Sequence, residues 1–62
     1  MTGALLAEDS QIMRSAIKAL LKTDPDIQVL GQCASFAETI KLAASLHPQI
    51  IVLDFIWVVN AQ

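Results

Sequence analysis

The chain has 62 residues, 55% of them hydrophobic and 16% charged, with a net charge of -2. That leaves room for one small domain, which buries only about 60% of the surface its unfolded form exposes, and it excludes disorder, whose signature is low hydrophobicity with high charge. Arg14, Lys18, Lys22 and Lys41 are scattered among acids, so the chain offers no basic stripe to a phosphate backbone and is not expected to bind nucleic acid directly.

Ala4-Leu5-Leu6-Ala7 is short and apolar and gives way to Glu8-Asp9, which predicts a first strand buried on both faces. Ser10 stands where a helix N-cap belongs. Over residues 11–22 the apolar Met13, Ala16, Ile17, Leu20 and Leu21 recur at helical spacing, with Arg14, Ser15, Lys18 and Lys22 on the other side. Lys18 and Lys22 suit the negative pole of that helix, and Thr23-Asp24-Pro25-Asp26 stops it, because proline has no N–H to continue the ladder. Residues 27–33, Ile-Gln-Val-Leu-Gly-Gln-Cys, alternate in part like a strand near a sheet edge, and Gly31 either weakens it or permits a close backbone approach. Ser35-Phe36-Ala37-Glu38 matches a capping box and starts a second helix. Phe36, Ile40, Ala43 and Ala44 form its expected buried side, and His47-Pro48 ends it. A third strand is expected from about Gln49, through Ile50-Ile51-Val52-Leu53 to Asp54.

Strand, helix, strand, helix, strand implies a parallel sheet and an α/β fold. Right-handed crossovers wound in opposite directions make the first strand central, in order 2-1-3 with one helix on each face. The alternative order 1-2-3 would hold the first and third strand ends about 10 Å apart, at roughly 4.8 Å per strand.

In an open parallel sheet, chemistry sits beyond the carboxyl ends of the strands. Order 2-1-3 would bring Glu8, Asp9 and Asp54 to one lip. Taken singly, Asp54 reads as a solvated turn residue and Glu8-Asp9 as acids favoured at a helix start. Taken together they would repel one another and raise their own pKa values unless a cation neutralised them. Mg²⁺ takes oxygen ligands, one or two of them carboxylates, and fits that conflict; an aspartate beside it could attack phosphorus.

Leu5-Leu6-Ala7-Glu8-Asp9-Ser10, the helix after it, Asp24-Pro25-Asp26-Ile27-Gln28-Val29-Leu30-Gly31 and Ile50-Ile51-Val52-Leu53-Asp54 resemble the N-terminal half of the receiver domain of bacterial two-component response regulators. The match runs over residues 4–55. Its most specific part is the acidic pair followed, 45 positions after Asp9 (54 - 9), by the aspartate ending the third strand. The Asp-Pro-Asp-Ile passage and Gly31 look most like receivers joined to helix-turn-helix transcriptional output domains. The resemblance implies a truncated flavodoxin-like fold and a role in a phosphorelay controlling transcription, without enzymatic activity. Asp54 would accept the phosphoryl group from a sensor histidine kinase. Asp9, with Glu8 directly or through water, Asp54 and the backbone carbonyl of Ile56 would hold Mg²⁺.

Beyond Phe55 the pattern departs. The family's methionine-proline pair is replaced by Trp57 and Val58, and Ile56-Trp57-Val58-Val59 is wholly apolar. The whole of residues 1–62 reads as a partial receiver with a divergent apolar tail over 56–62. We expect a truncated or frameshifted regulator rather than a natural half-domain, poor labelling of Asp54 by acetyl phosphate, and self-association through the open edge of strand three.

Cys33 is the only cysteine and has no basic neighbour in sequence, so it is expected to be a small core residue in a reducing compartment. His47 reads as an exposed helix-end residue and Trp57 as part of an apolar tail seeking cover. The opening Met1-Thr2-Gly3 lacks the basic segment of a signal peptide, and residues 50–59 are too short to span a bilayer. A cytoplasmic protein without a membrane partner is expected. Two other readings compete: a binding fragment that pairs through its open edge without chemistry, and a remnant of an aspartate-nucleophile phosphohydrolase. The second needs another aspartate two positions after the first, where Ile56 stands.

Overall fold

The structure is a computed structural model that describes residues 1–53. Strand β1 (Thr2–Ala7) leads to helix α1 (Gln11–Leu21), strand β2 (Ile27–Cys33), helix α2 (Phe36–Leu46) and strand β3 (Ile50–Leu53). All strand pairs are parallel and the order is β2-β1-β3, with the first strand central. This β-α-β-α-β, 2-1-3 layout is the flavodoxin-like arrangement that the resemblance implies. Ala4, Leu5, Leu6 and Ala7 are fully buried. Each of the two leucines contributes about 1.5–3 kcal/mol by leaving water.

Leu5, Ala7 and Cys33 form one cluster under Leu42, Ala43 and Leu46 of α2. Strand alternation turns Ala4 and Leu6 to the opposite face, where the right-handed β1-α1-β2 crossover sets α1. Between Ala4 and Leu5 the β1–β2 register skips Leu30, pairing Ala4 with Val29 and Leu5 with Gly31. Two glycines accommodate this packing. A Cβ on Gly3 would meet Leu30 Cδ1 at 2.6 Å, and one on Gly31 would meet Leu46 Cδ1 at 2.9 Å. The close approach at Gly31 is made by the Leu46 side chain and not by the backbone expected there.

The helix ends follow the sequence signals. Ser10 Oγ accepts from the Met13 amide at 3.3 Å, and Ser35 Oγ accepts from the Glu38 amide at 3.2 Å. The Ser35 hydroxyl also donates to the Glu38 carboxylate at 3.2 Å, in place of the reciprocal amide contact of a full capping box. Lys22 caps α1, and the Asp24 side chain accepts from the Asp26 amide at 2.9 Å in the turn that follows. His47 closes α2 at φ 50°, ψ 55°, a left-handed conformation. Pro48 disfavours the right-handed helical alternative there. Gln49 precedes β3 and clamps it to β1: its amide donates to the Gly3 carbonyl at 2.9 Å, and its side-chain oxygen accepts from the Gly3 amide at 3.0 Å.

Both helix faces agree with expectation at Ile17, Leu21 and Ala43 and differ elsewhere. In α1 the half-buried positions are Arg14, Ile17, Lys18 and Leu21, while Ala16 is exposed, Met13 is 46% exposed and Leu20 70%. In α2 the inward row is Thr39, Leu42, Ala43 and Leu46, while Phe36, Ile40 and Ala44 face outward. The cause in α2 is local. The Gly31 gap receives Leu46, and Thr39 is buried because its hydroxyl donates to the Ser35 carbonyl at 2.8 Å and lies 3.2 Å from Cys33 Sγ. A polar group satisfied twice is tolerated in a core. Cys33 is the buried, free thiol expected.

Candidate functional site

The carboxyl ends of β1 and β3 lie side by side. Their parallel register pairs Leu6 with Val52 and Ala7 with Leu53, which is the neighbour relation that order 2-1-3 requires. Glu8 and Asp9 follow Ala7 directly. Asp54 and Ile56, the other two expected site residues, lie outside the described residues, as do Trp57 and the rest of the expected 56–62 tail. Among the described residues no three His, Cys, Asp or Glu side chains are gathered as a metal-binding group.

Glu8 and Asp9 are adjacent but differ in environment. Glu8 is 3% exposed, and its amide donates to the Cys33 carbonyl at 3.0 Å, which carries the β1–β2 ladder one residue past the strand. Its carboxylate accepts from the Ser10 amide at 2.9 Å. Asp9 is exposed. One carboxylate is thus folded into the loop while the other faces solvent at the end of the central strand. Of the two, Asp9 is the carboxylate whose oxygens could reach a hard cation, which takes oxygen ligands and typically one or two carboxylates.

Sequence reading missed one residue here. Arg14, placed on the polar side of α1, reaches back to donate from Nη1 to the Glu8 carbonyl at 2.9 Å. The available signal was its place in the first turn of the helix, six positions after Glu8, where a long side chain can reach the strand end.

No family model matches the chain. Individual relatives do. The transcriptional regulatory protein LiaR of Bacillus subtilis is 34% identical over 56 residues, which make up 90% of this chain and 26% of LiaR. The nitrate/nitrite response regulator protein NarL of Escherichia coli K12 is 40% identical over 50 residues, 81% of this chain and 23% of NarL. These findings and the 2-1-3 parallel sheet agree with the receiver resemblance. The chain is homologous to response-regulator receivers. A protein-glutamate methylesterase/protein-glutamine glutaminase of Methanosarcina acetivorans matches as well, at 38% identity over 50 residues, 81% of this chain and 14% of that protein. The receiver-like chain therefore spans about a quarter or less of the length of these curated relatives. The activity in the methylesterase's name belongs to that protein. Among the described residues no helix is long and apolar enough to cross a membrane.

Proposed function

We propose that the chain is a receiver-type phosphoacceptor in a two-component phosphorelay, with Asp54 as the acceptor. The supporting observation is the register that sets Ala7 beside Leu53 in adjacent parallel strands, because each of those residues is followed in sequence by an acid. In the step proposed, an Asp54 carboxylate oxygen attacks the phosphorus of a phosphohistidine on a sensor histidine kinase. The P–N bond breaks, its electron pair returns to the imidazole, and an acyl phosphate forms on Asp54.

Asp9 and Asp54, with Glu8 directly or through water and the backbone carbonyl of Ile56, would hold Mg²⁺. When bound, that ion supplies charge neutralisation for the transferring phosphoryl group. Asp9 is the described carboxylate best suited to ligation, being exposed at the strand end. Glu8 has its carboxylate on the Ser10 amide and contributes by shaping the loop. We assign the chain to the cytoplasm and to a parent regulator that controls transcription; the similarity to LiaR, a transcriptional regulatory protein, supports the latter.

The test is labelling with acetyl phosphate and Mg²⁺, followed by intact mass. Slow, partial gain of one phosphoryl group is expected, abolished by Asp54→Asn and by chelation of the metal. Labelling that persists in Asp54→Asn would refute the assignment.

A second reading, a fragment that pairs through its sheet edge, is favoured by β3. Among the described residues Ile50, Ile51 and Leu53 are 40%, 41% and 51% exposed and β3 is an edge strand. Such an edge is a template for another chain.

A further inference from the structure

We propose that Arg14 is a positioning residue for the cation-holding lip: its guanidinium fixes the Glu8 carbonyl and so the backbone from which Asp9 projects. The inference rests on the reading of Asp9 as a Mg²⁺ ligand and adds to it a residue on a different element.

Three polar groups of Glu8 are held from three directions. Its amide donates to Cys33 of β2 at 3.0 Å. Its carboxylate receives the Ser10 amide at 2.9 Å. Its carbonyl receives Arg14 Nη1 of α1 at 2.9 Å, in a partly buried contact. On the far side of Asp9, Ser10 is tied to α1 through its hydroxyl and the Met13 amide. Asp9 therefore stands between two clamped neighbours while its own side chain is exposed. Of these ties, the one from Arg14 couples the helix to the strand end through a charged donor, the stronger kind of hydrogen bond. Among the described residues the guanidinium meets a backbone carbonyl rather than the Asp9 carboxylate, so it orients the loop without competing for the ligand oxygen.

Groups that orient a ligand from behind typically change metal affinity by 10–100-fold when removed. The experiment is a MgCl₂ titration of the ¹⁵N-labelled full chain, following the Asp9 and Ser10 amide resonances. The wild-type chain should show saturable shifts that Asp9→Ala abolishes. Arg14→Met keeps the apolar stem and removes the donor; it should raise the Mg²⁺ midpoint about tenfold. Arg14→Lys restores a single charged donor and should recover part of that loss. Gln49→Ala removes the side-chain contact to Gly3 at the opposite, amino end of β1 and should leave the midpoint unchanged, separating positioning from general destabilisation. If Arg14→Met fails to fold, Arg14→Gln, whose amide is too short for the same reach, should show the same weakening. A wild-type midpoint in the folded variant, or an equal shift in Gln49→Ala, would overturn the positioning role. Absence of any Mg²⁺-dependent shift in the wild-type chain would instead overturn the ligand reading, and this inference with it.

Discussion

Leu5 and Leu20 are both leucines inside regular elements, yet one is fully buried and the other 70% exposed. Truncating each to alanine tests whether the sheet, rather than the helical apolar row, carries the stability. Leu5 packs in the cluster with Ala7 and Cys33, under Leu42, Ala43 and Leu46 of α2. Removing it forfeits transfer energy and leaves a cavity, together about 3–5 kcal/mol. At roughly 0.05–0.15 kcal/mol per residue, a chain of this length holds about 3–9 kcal/mol in all. Leu5→Ala should consume most of that. It should lower the melting midpoint by at least about 12 °C, at roughly 4 °C or more per kcal/mol, or abolish cooperative unfolding altogether. Leu20→Ala should stay within about 0.5 kcal/mol, since alanine is the better helix former and little burial is lost. Urea titration followed by circular dichroism at the helical band measures both. Equal destabilisation by the two substitutions would refute the placement of α1.

His47→Gly should stabilise the chain by about 0.5–1 kcal/mol, because glycine adopts the left-handed cap at φ 50° without the Cβ penalty; a lower urea midpoint would contradict this. Sedimentation velocity at tens of micromolar should reveal species larger than the monomer, and Ile51→Lys, which places a charge on the β3 edge, should return them to monomer. A monodisperse wild-type monomer would remove the case for edge pairing.

Signals that act within a few residues were legible in the sequence. Ser10, Ser35 and Pro48 mark helix boundaries through local hydrogen bonds or sterics, and the observed ends agree to within a residue. The unbroken apolar run of residues 4–7 identified the central strand, and crossover handedness then left order 2-1-3 as the one that brings β1 and β3 together. Acidity at the end of β1 was equally legible, since Glu8 and Asp9 adjoin it in sequence.

The faces of the helices were legible only in part, with Ile17, Leu21 and Ala43 inward as expected and the rest not, for a physical reason. In α1 the residues Ile12, Met13, Ala16, Ile17, Ala19, Leu20 and Leu21 cover about half the circumference at 3.6 residues per turn. A helix patterned so broadly can roll against its sheet without exposing a polar gap, so its sequence leaves the buried row open. Its partners decide instead. For α2 the deciding contacts are the missing Cβ of Gly31 and the Cys33 thiol, which admit Leu46 and Thr39. On α1 the inward row begins at Arg14, whose long stem lies along the half-buried side while its head reaches the Glu8 carbonyl. The same roll that exposes Leu20 brings Arg14 to the strand end. Helix orientation and the geometry of the acidic loop are therefore one structural fact, and a substitution that re-rolled α1 to bury Leu20 would withdraw Arg14 from Glu8.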